Sequence, residues 1–555
     1  MQQLFRLANV SSPAILIVVV WLVMLVAVGL GPIDYPGQPS STVLVLVAAG
    51  LSIFILGHSA GSWCFGNWFQ RQVNLAAPSV GRLEGVVLAT SLVGIGGIGL
   101  VALDRLVLSG VSNGGYAELL RCAPGLVDFI EIRRTPLLYL GYLTFSFGFA
   151  SLALFLLKGE DIRGWPAVAA QLSIACPIGY ALLYSGRMPI LFAIVLIVSV
   201  VLIRISQGRS SLPHGHYLLF KTVIVVLLFA LYSSVVWSRR ANFCAQMSGV
   251  IQELDRRKAQ RDKEQAEPRK VQELKGTEES RKPEESRKPA EPSNESKVQP
   301  PAAGPAALPP IVDDSAVRPP SSAHISATDV SKMIADAHVL MNETAVGPPV
   351  SEMGQKEALL AKMQESWSVQ PSAYVISAMN SGALSPRYAA PILNSYFYLT
   401  HGVRVIDMTW QARERFSPHW GVYEIGILSP IRRVFFPQDR GTADMEAQLS
   451  SAGIFGFYPT VWASAFIDFG AVGSIIYILV WGFAAGWSVS GVRRSTLVMP
   501  PLLLSFILAS IFLSPVQGPL GIANSAIVLF SIIVTGAAVD FRSFAKTSGR
   551  LIRST

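Results

Sequence analysis

Long apolar runs separated by short polar connections are the feature that most limits how this chain can fold. The run from Pro13 to Leu30 contains no charged residue, and similar runs recur along the sequence. A helix needs about 20 consecutive apolar residues to cross the hydrocarbon core of a bilayer. Only 15% of the 555 residues are charged, against roughly 25% in soluble domains. The pattern therefore indicates an integral membrane protein and argues against a soluble globular class.

The apolar runs predict ten membrane spans, seven of them before a long polar region and three after it. Residues 13–30 form the first span, and we interpret it as a retained helix because no small-residue cleavage site follows it. The predicted fold class is an all-α polytopic membrane protein of about ten transmembrane helices with one large, partly disordered extracytoplasmic loop. The predicted spans are 13–30, 41–56, 85–103, 137–157, 165–184, 188–203, 217–236, 471–487, 497–514 and 521–539.

Four regions follow from this division. Residues 1–236 form an N-terminal bundle of seven helices. Residues 237–390 form a disordered, low-complexity outer insertion, because they are polar and Pro-rich and repeat Glu-Glu-Ser-Arg-Lys-Pro at 278–283 and 284–289. Such a segment has too few apolar residues to bury a core. Residues 391–465 form an ordered outer loop with interfacial helices, and residues 466–555 form a three-helix bundle with a basic cytoplasmic tail.

Basic residues in the short connections predict the orientation, since cytoplasmic loops carry an excess of Lys and Arg. Arg71, Arg82, Arg493 and Arg494 fall on one side together with the C-terminal tail, which predicts that both termini are cytoplasmic. The net charge of +9 is then a property of cytoplasmic loops, and no nucleic-acid partner is expected. The segment 104–134 is an exception, because its four arginines fall outside.

Arginines on the outer side are candidates for binding a phosphate group, because the planar guanidinium binds phosphate oxygens in pairs. Arg187 lies in a three-residue outer connection, 185–187, where it either clamps a phosphate or extends to the headgroup level. Arg105 and Arg121 lie in the outer segment 104–134, and Asp104 is a possible neutralising partner of Arg105. Arg404 is the candidate from the large outer loop.

Three residues of the large outer loop are candidate general bases. His401 follows the aromatic run 396–398, and the pKa of a histidine is easily tuned near neutral. Glu424 and Asp407 are the alternatives. Asp468 is interpreted as the N-cap of the span beginning near Ala471. No metal-ligand spacing, CxxC pair or nucleotide-binding glycine loop occurs in the sequence, so neither a metal nor a cofactor is expected.

Three stretches resemble the bacterial oligosaccharide repeat-unit polymerases, the O-antigen polymerase (Wzy-like) family. Residues 185–197 (SGRMPILFAIVLI) resemble the arginine-led helix of that family. Residues 453–460 (GIFGFYPT) and 466–476 (FIDFGAVGSII) resemble its late aromatic and glycine-rich segment, and residues 104–110 with Arg121 are similar to its early outer loop. The similarity covers about 80–205 and 390–540, and the insertion at 240–390 departs from the family pattern.

This resemblance implies a metal-independent, inverting glycosyltransferase at the outer face of the bacterial cytoplasmic (inner) membrane. Its substrates would be undecaprenyl-diphosphate-linked oligosaccharides, joined into O-antigen, capsule or exopolysaccharide. Arg187, Arg105, Arg121 and Arg404 would bind the diphosphate, and His401 or Glu424 would activate the acceptor hydroxyl. Membrane lipids, a chain-length regulator and a flippase of the same pathway are the implied partners.

Three other functions fit parts of the pattern. An O-antigen ligase has the same architecture and donor. A lipid-linked oligosaccharide transporter would keep its charged residues inside the helix bundle. A membrane scaffold would use the repeats at 278–289 to recruit partners, although it leaves the outer arginines unexplained.

Overall fold

Helices make up most of the described chain, as its apolar runs require. The computed structural model describes residues 12–69, 78–108, 130–131, 135–184, 186, 188–213, 227, 325–326, 352–426, 441–454, 459–521 and 524–553. The helices are α1 (Pro13–Leu30), α2 (Ser41–Cys64), α3 (Val80–Leu103), α4 (Pro136–Phe145), α5 (Phe147–Lys158), α6 (Trp165–Leu172), α7 (Ala175–Leu183), α8 (Met188–Ser206), α9 (Glu352–Trp367), α10 (Ala373–Asn380), α11 (Pro386–Gln411), α12 (Gly441–Ser451), α13 (Val461–Arg494), α14 (Met499–Leu513) and α15 (Ser525–Arg553).

Two short strand pairs accompany the helices, and the chain divides into two compact units. β1 (Ile33–Asp34) pairs antiparallel with β4 (Gln370–Pro371), and β2 (Ile130–Glu131) pairs parallel with β3 (Ile325–Ser326). The second strand pair belongs to the smaller unit, Gly110–Arg133 with Ser238–Ala345. The larger unit comprises Met1–Ser109, Arg134–Trp237 and Val346–Thr555, and it holds every other feature described below.

Seven helical segments among the described residues are long and apolar enough to cross a membrane. They are Pro13–Leu30, Ser41–Asn67, Val80–Leu108, Pro136–Asp161, Trp165–Leu183, Met188–Ser206 and Val461–Arg494. The coarse fold prediction, a helical multi-pass membrane protein, is confirmed at this level. Of the ten predicted spans, 217–236 lies outside the described residues except for residue 227, and the last two correspond to shorter apolar helices, α14 and Ser525–Phe541. The number ten and the side of the large loop stay predictions.

α14 lies at the centre of the larger unit and packs against α1, α5, α8, α13 and α15. Nearly all of its side chains are buried, so its few polar groups need partners inside the bundle. Trp481 Nε1 donates a hydrogen bond to Ser510 Oγ at 3.0 Å. Trp21 Nε1 donates to Ser514 Oγ, just beyond the helix, at 3.0 Å. These two bonds hold α13 and α1 to the central helix.

α2 and α13 form the most extensive helix pair, and glycines allow their backbones to touch. A Cβ at Gly57 would collide with the carbonyl oxygen of Leu479, and a Cβ at Gly486 would collide with that of His58. Small residues at such contacts let membrane helices approach closely. The glycine-rich α3 behaves similarly at Gly94 and Gly97, which face the backbone of the α4–α5 region.

α13 changes direction at Gly470, whose φ of 66° and ψ of −171° are not helical. A glycine reaches this left-handed φ without a Cβ clash. The helix begins at Val461, where the Thr460 hydroxyl accepts a hydrogen bond from the Ala463 N–H at 3.3 Å. The first segment, 461–469, is therefore set at an angle to the long segment that packs on α2.

The described residues within the predicted insertion 237–390 include two helices, α9 and α10. The buried Leu359 and Met363 give α9 an apolar side, and the Trp367 ring stacks on Phe397 of α11 at 4.5 Å between centroids. α11 in turn crosses the end of α1, where the Tyr396 hydroxyl donates to the Ala27 carbonyl at 2.6 Å. The rest of the predicted insertion, apart from β3, lies outside the described residues.

Candidate functional site

Arg105 is buried at the end of the segment Val80–Leu108, with 9% of its surface exposed. Its Nε donates a hydrogen bond to the Tyr184 hydroxyl at 3.0 Å and lies 3.7 Å from Asp104 Oδ2. Asp104 also accepts a hydrogen bond from the Thr135 hydroxyl. A buried guanidinium needs such partners, because an isolated charge is strongly destabilised away from water. The expected pairing of Asp104 with Arg105 is thus present in the structure.

A group of tyrosines extends this site toward the start of α15. The Tyr184 hydroxyl shares a hydrogen bond with the Tyr142 hydroxyl, and the Tyr180 ring lies 4.9 Å from the Tyr184 ring. Asn524 Nδ2 donates to the Tyr180 hydroxyl at 2.8 Å. Arg105 is therefore linked, through three tyrosines, to the connection between α14 and α15.

Arg187 and Arg121 lie outside the described residues. Tyr184, the partner of Arg105, nevertheless precedes Arg187 by only three positions in the chain. A shared anion-binding role of Arg105 and Arg187 stays a prediction.

Glu424 is completely buried in the loop that follows α11. Tyr477 of α13 donates a hydrogen bond to Glu424 Oε2 at 3.0 Å. The carboxyl group packs directly on Gly518, where any side chain would collide with it. Oε1 has no hydrogen bond of good geometry among the described residues. Glu424 therefore lies within the bundle and not on the surface of an outer loop.

Burial raises the pKa of Glu424 to about 7. The side chains of Ser464 and Tyr477 act against this rise, and the neighbouring Asp468 adds to it. A carboxyl with this pKa is present in both protonation states near pH 7. That property suits a general acid or base at neutral pH.

Asp468 holds the loop that carries Glu424. Its Oδ1 accepts a hydrogen bond from the Gly421 N–H at 2.9 Å, and its Oδ2 accepts one from the Glu424 N–H at 3.0 Å. Its backbone carbonyl accepts hydrogen bonds from the N–H groups of His419 and Trp420 at 2.8 and 2.9 Å. The interpretation of Asp468 as a helix N-cap is wrong, because the helix begins at Val461 with Thr460 as its cap, and Asp468 lies within it.

His401 is buried in α11 within a stack of rings. Its ring lies 4.9 Å from the Phe397 ring, and its Nδ1 is 2.8 Å from the Phe397 carbonyl, to which it donates. Burial lowers the pKa of His401 to about 4. A histidine with this pKa is a weak base at neutral pH, so the environment favours Glu424 over His401 as the base.

Arg404 contacts the end of α9. Its Nη1 donates to the carbonyl oxygens of Trp367 and Ser368, both at 3.1 Å. A basic side chain in this position satisfies carbonyls that the end of a helix leaves unpaired. Asp407 has a comparable role, because it accepts hydrogen bonds from Gln38 and Ser40 in the α1–α2 connection. Arg404 and His401 therefore have partners in α9 and α11, respectively.

Glu424 and the tyrosines beside Arg105 contact one short connection, residues 514–524. Glu424 packs on Gly518, and Asn524 donates a hydrogen bond to Tyr180, whose ring lies against Tyr184, the partner of Arg105. Gly518 and Asn524 are six positions apart in the chain, so their Cα atoms are at most about 22 Å apart. Glu424 is thus linked to this connection directly, and Arg105 is linked to it through Tyr184 and Tyr180.

Sequence reasoning missed the tyrosines and the connection itself. Tyr184 directly precedes the 185–187 stretch, and Tyr477 directly follows the 466–476 stretch. Both could therefore have been identified as neighbours of the motifs. Gly518 carries no local signal, because its role is to leave room for a carboxyl group from elsewhere in the chain. Within the described ranges, no three His, Cys, Asp or Glu side chains are grouped as a metal site would require.

Comparisons with protein-family models, with curated proteins and with solved structures find no match to this chain.

Proposed function

We propose that the protein polymerises undecaprenyl-diphosphate-linked oligosaccharide repeat units into a surface polysaccharide. The reaction is an inverting, metal-independent glycosyl transfer at the outer face of the bacterial cytoplasmic membrane. The growing glycan leaves its lipid diphosphate and bonds to a hydroxyl of another lipid-linked unit. The flippase that delivers these units and a chain-length regulator are the expected partners.

The observation that carries this proposal is that the connection 514–524 contacts Glu424 directly and is linked to Arg105 through Tyr184 and Tyr180. The leaving group is a lipid diphosphate, so its departure needs a fixed positive charge in a site with little water. The acceptor hydroxyl needs a base. The two groups come from segments more than 300 residues apart, and each has the environment that its role requires.

The proposed roles follow from these environments. Arg105 binds the diphosphate and stabilises its developing charge, and Arg121 and Arg187 are further candidates from the sequence. Glu424 takes the proton of the acceptor hydroxyl once the loop 419–424 opens, because the carboxyl is fully buried while Asp468 holds that loop. Arg404 and His401 have structural partners and are secondary candidates.

Replacing Arg105 by lysine tests the proposal, because a lysine keeps the charge but loses the planar donor pair. Complementation of a deletion strain with Arg105→Lys should lower polymer per protein molecule by about 10²–10³-fold. Single lipid-linked repeat units should accumulate on the outer face. Arg163→Lys is the matched control, since Arg163 is an exposed arginine in the α5–α6 connection, and it should leave polymer unchanged. Wild-type polymer in Arg105→Lys membranes would remove this arginine from the mechanism.

The burial of Glu424 and Asp468 favours a second candidate, a transporter of lipid-linked oligosaccharides. Transporters place ionisable side chains inside the helix bundle, and both carboxyls are fully buried there. The membrane face on which single lipid-linked units accumulate distinguishes a polymerase from a transporter. A strain without the protein would collect single units on the outer face for a polymerase and on the inner face for a transporter. If the protein were an O-antigen ligase, a strain without it would accumulate finished polymer that is still attached to its lipid carrier.

A further inference from the structure

A narrow apolar groove of about 250 Å³ runs between α2, α11 and α13. Trp410, Trp462 and Phe466 contribute aromatic rings to its wall, and nearly all of the remaining lining is aliphatic. A groove of this size and polarity accommodates a segment of hydrocarbon chain and excludes a sugar unit, which needs several hydrogen-bonding partners.

The groove opens toward the lipid. Its rim includes Ala49 of α2 and Ala471 and Ile475 of α13, and all three are exposed. Both helices belong to segments long and apolar enough to cross a membrane. Exposed apolar side chains on such helices face the bilayer, so a lipid chain can enter from the side.

Two buried polar atoms of lining residues have no hydrogen-bond partner within the described chain. They are Thr409 Oγ1 and Trp462 Nε1, on residues with 2% and 6% of their surface exposed. Leaving such atoms unpaired is unfavourable by about 1–3 kcal/mol each. Both are hydrogen-bond donors, so the groove suits a chain that carries an accepting oxygen.

A positive charge stands at the α11 end of the groove. The Arg413 guanidinium lies 5.3 Å from the centre of the Trp410 ring, and its Nη1 donates to the Trp410 carbonyl at 3.2 Å. Glu414 is 3.6 Å from Arg413, but its side chain is 87% exposed. An ion pair this exposed contributes little, so Arg413 can still attract an anionic headgroup.

We propose that this groove binds one acyl chain of an anionic glycerophospholipid. The ester carbonyl of that chain accepts a hydrogen bond from Thr409 or Trp462, and the headgroup phosphate lies beside Arg413. A polyprenyl chain fits the donors less well, because its hydrocarbon part carries no oxygen. This lipid is a bound partner of the fold, and its binding does not depend on the reaction proposed above.

Native mass spectrometry of the detergent-solubilised protein with added phosphatidylglycerol tests the groove by blocking it. Ala49→Trp fills the groove from its rim and should abolish binding of one tightly held lipid. Ala48→Trp is the matched control, because Ala48 is an exposed neighbour on the same helix that does not line the groove. It should bind the lipid as the wild type does. Equal lipid binding by the two variants would overturn the proposal.

The hydrogen bond is tested with Thr409→Val and two lipids that differ only in linkage. Loss of one hydrogen bond should weaken binding of diacyl phosphatidylglycerol by about 2- to 12-fold. Binding of the dialkyl ether analogue, which has no carbonyl, should not change. Arg413→Gln should reduce the preference for phosphatidylglycerol over phosphatidylcholine. Equal effects on ester and ether lipids, or displacement of the phospholipid by equimolar undecaprenyl phosphate, would show that the assigned occupant is wrong.

Discussion

Replacing Asp468 by alanine should release the loop that covers Glu424 while leaving the helix bundle intact. The Asp468 carboxylate is the acceptor for two backbone N–H groups, those of Gly421 and Glu424. The helix itself does not depend on this side chain, because Thr460 caps its start. The substitution therefore acts on the 419–424 loop.

The expected size of the effect follows from the two donors that lose their acceptor. A buried donor left unpaired is unfavourable by about 1–3 kcal/mol, so loop closure should weaken by roughly 2–6 kcal/mol. Each 1.4 kcal/mol corresponds to a factor of about ten. The Gly421 and Glu424 amides should then exchange with solvent at least about 30-fold faster than in the wild type.

Hydrogen exchange followed by mass spectrometry, on protein in lipid nanodiscs, measures this effect. Asp540→Ala is the matched control, because Asp540 also accepts from two backbone N–H groups, those of Val498 and Met499. Each variant should lose protection only in the segment that its carboxylate holds, residues 419–424 for Asp468→Ala and residues 498–499 for Asp540→Ala. Unchanged exchange at Gly421 and Glu424 in Asp468→Ala would refute the role assigned to Asp468.

The remaining predictions concern the glycine contacts and the buried carboxyl. Gly486→Ala should markedly lower thermal stability because its Cβ would collide with the His58 carbonyl, whereas Gly85→Ala, with no atom within 4 Å of the new Cβ, should be neutral or slightly stabilising. Burial raises the pKa of Glu424 from its ordinary value of 4.5 to about 7, so the folded state keeps a proton that the unfolded chain loses. This contribution to stability should fall as pH rises from about 4.5 to about 7, by up to about 1.4 kcal/mol per pH unit. Thermal unfolding of Glu424→Gln across that range should lack this fall, and the same slope in both proteins would contradict the assignment.

Helix positions could be predicted from the sequence because the signal is local. The run from Pro13 to Leu30 has the same bounds in the sequence and in the structure. The helix that includes Ala471 begins earlier than predicted, at Val461, because Asp468 interrupts a mostly apolar sequence and the prediction placed the start of the span after it. The helical state of residues 461–469 depends on the Thr460 cap and on packing against α14 and α1, which no local pattern records.

The candidate site was predictable in its residue types but not in its arrangement. Arg105 and Glu424 were identified by charge and position relative to the apolar runs. The burial of Glu424 could not be predicted, because it depends on Gly518 and Tyr477, which lie far from it in the chain. For His401 the sequence suggested a role that the structure does not favour. A histidine beside aromatic residues is a candidate base, but the rings that bury His401 keep it neutral.

The backbone contact between α2 and α13 has a consequence for how the protein is made. Phe54 and its partner Gly482 are separated by more than 400 residues. At about 5–20 residues per second, roughly 20–80 s of synthesis separate the two helices. During that interval α2 lacks the surface of α13 against which its glycines pack. The N-terminal helices therefore cannot mature as an independent domain, and a nascent chain released before α13 should be recognised as incomplete and degraded.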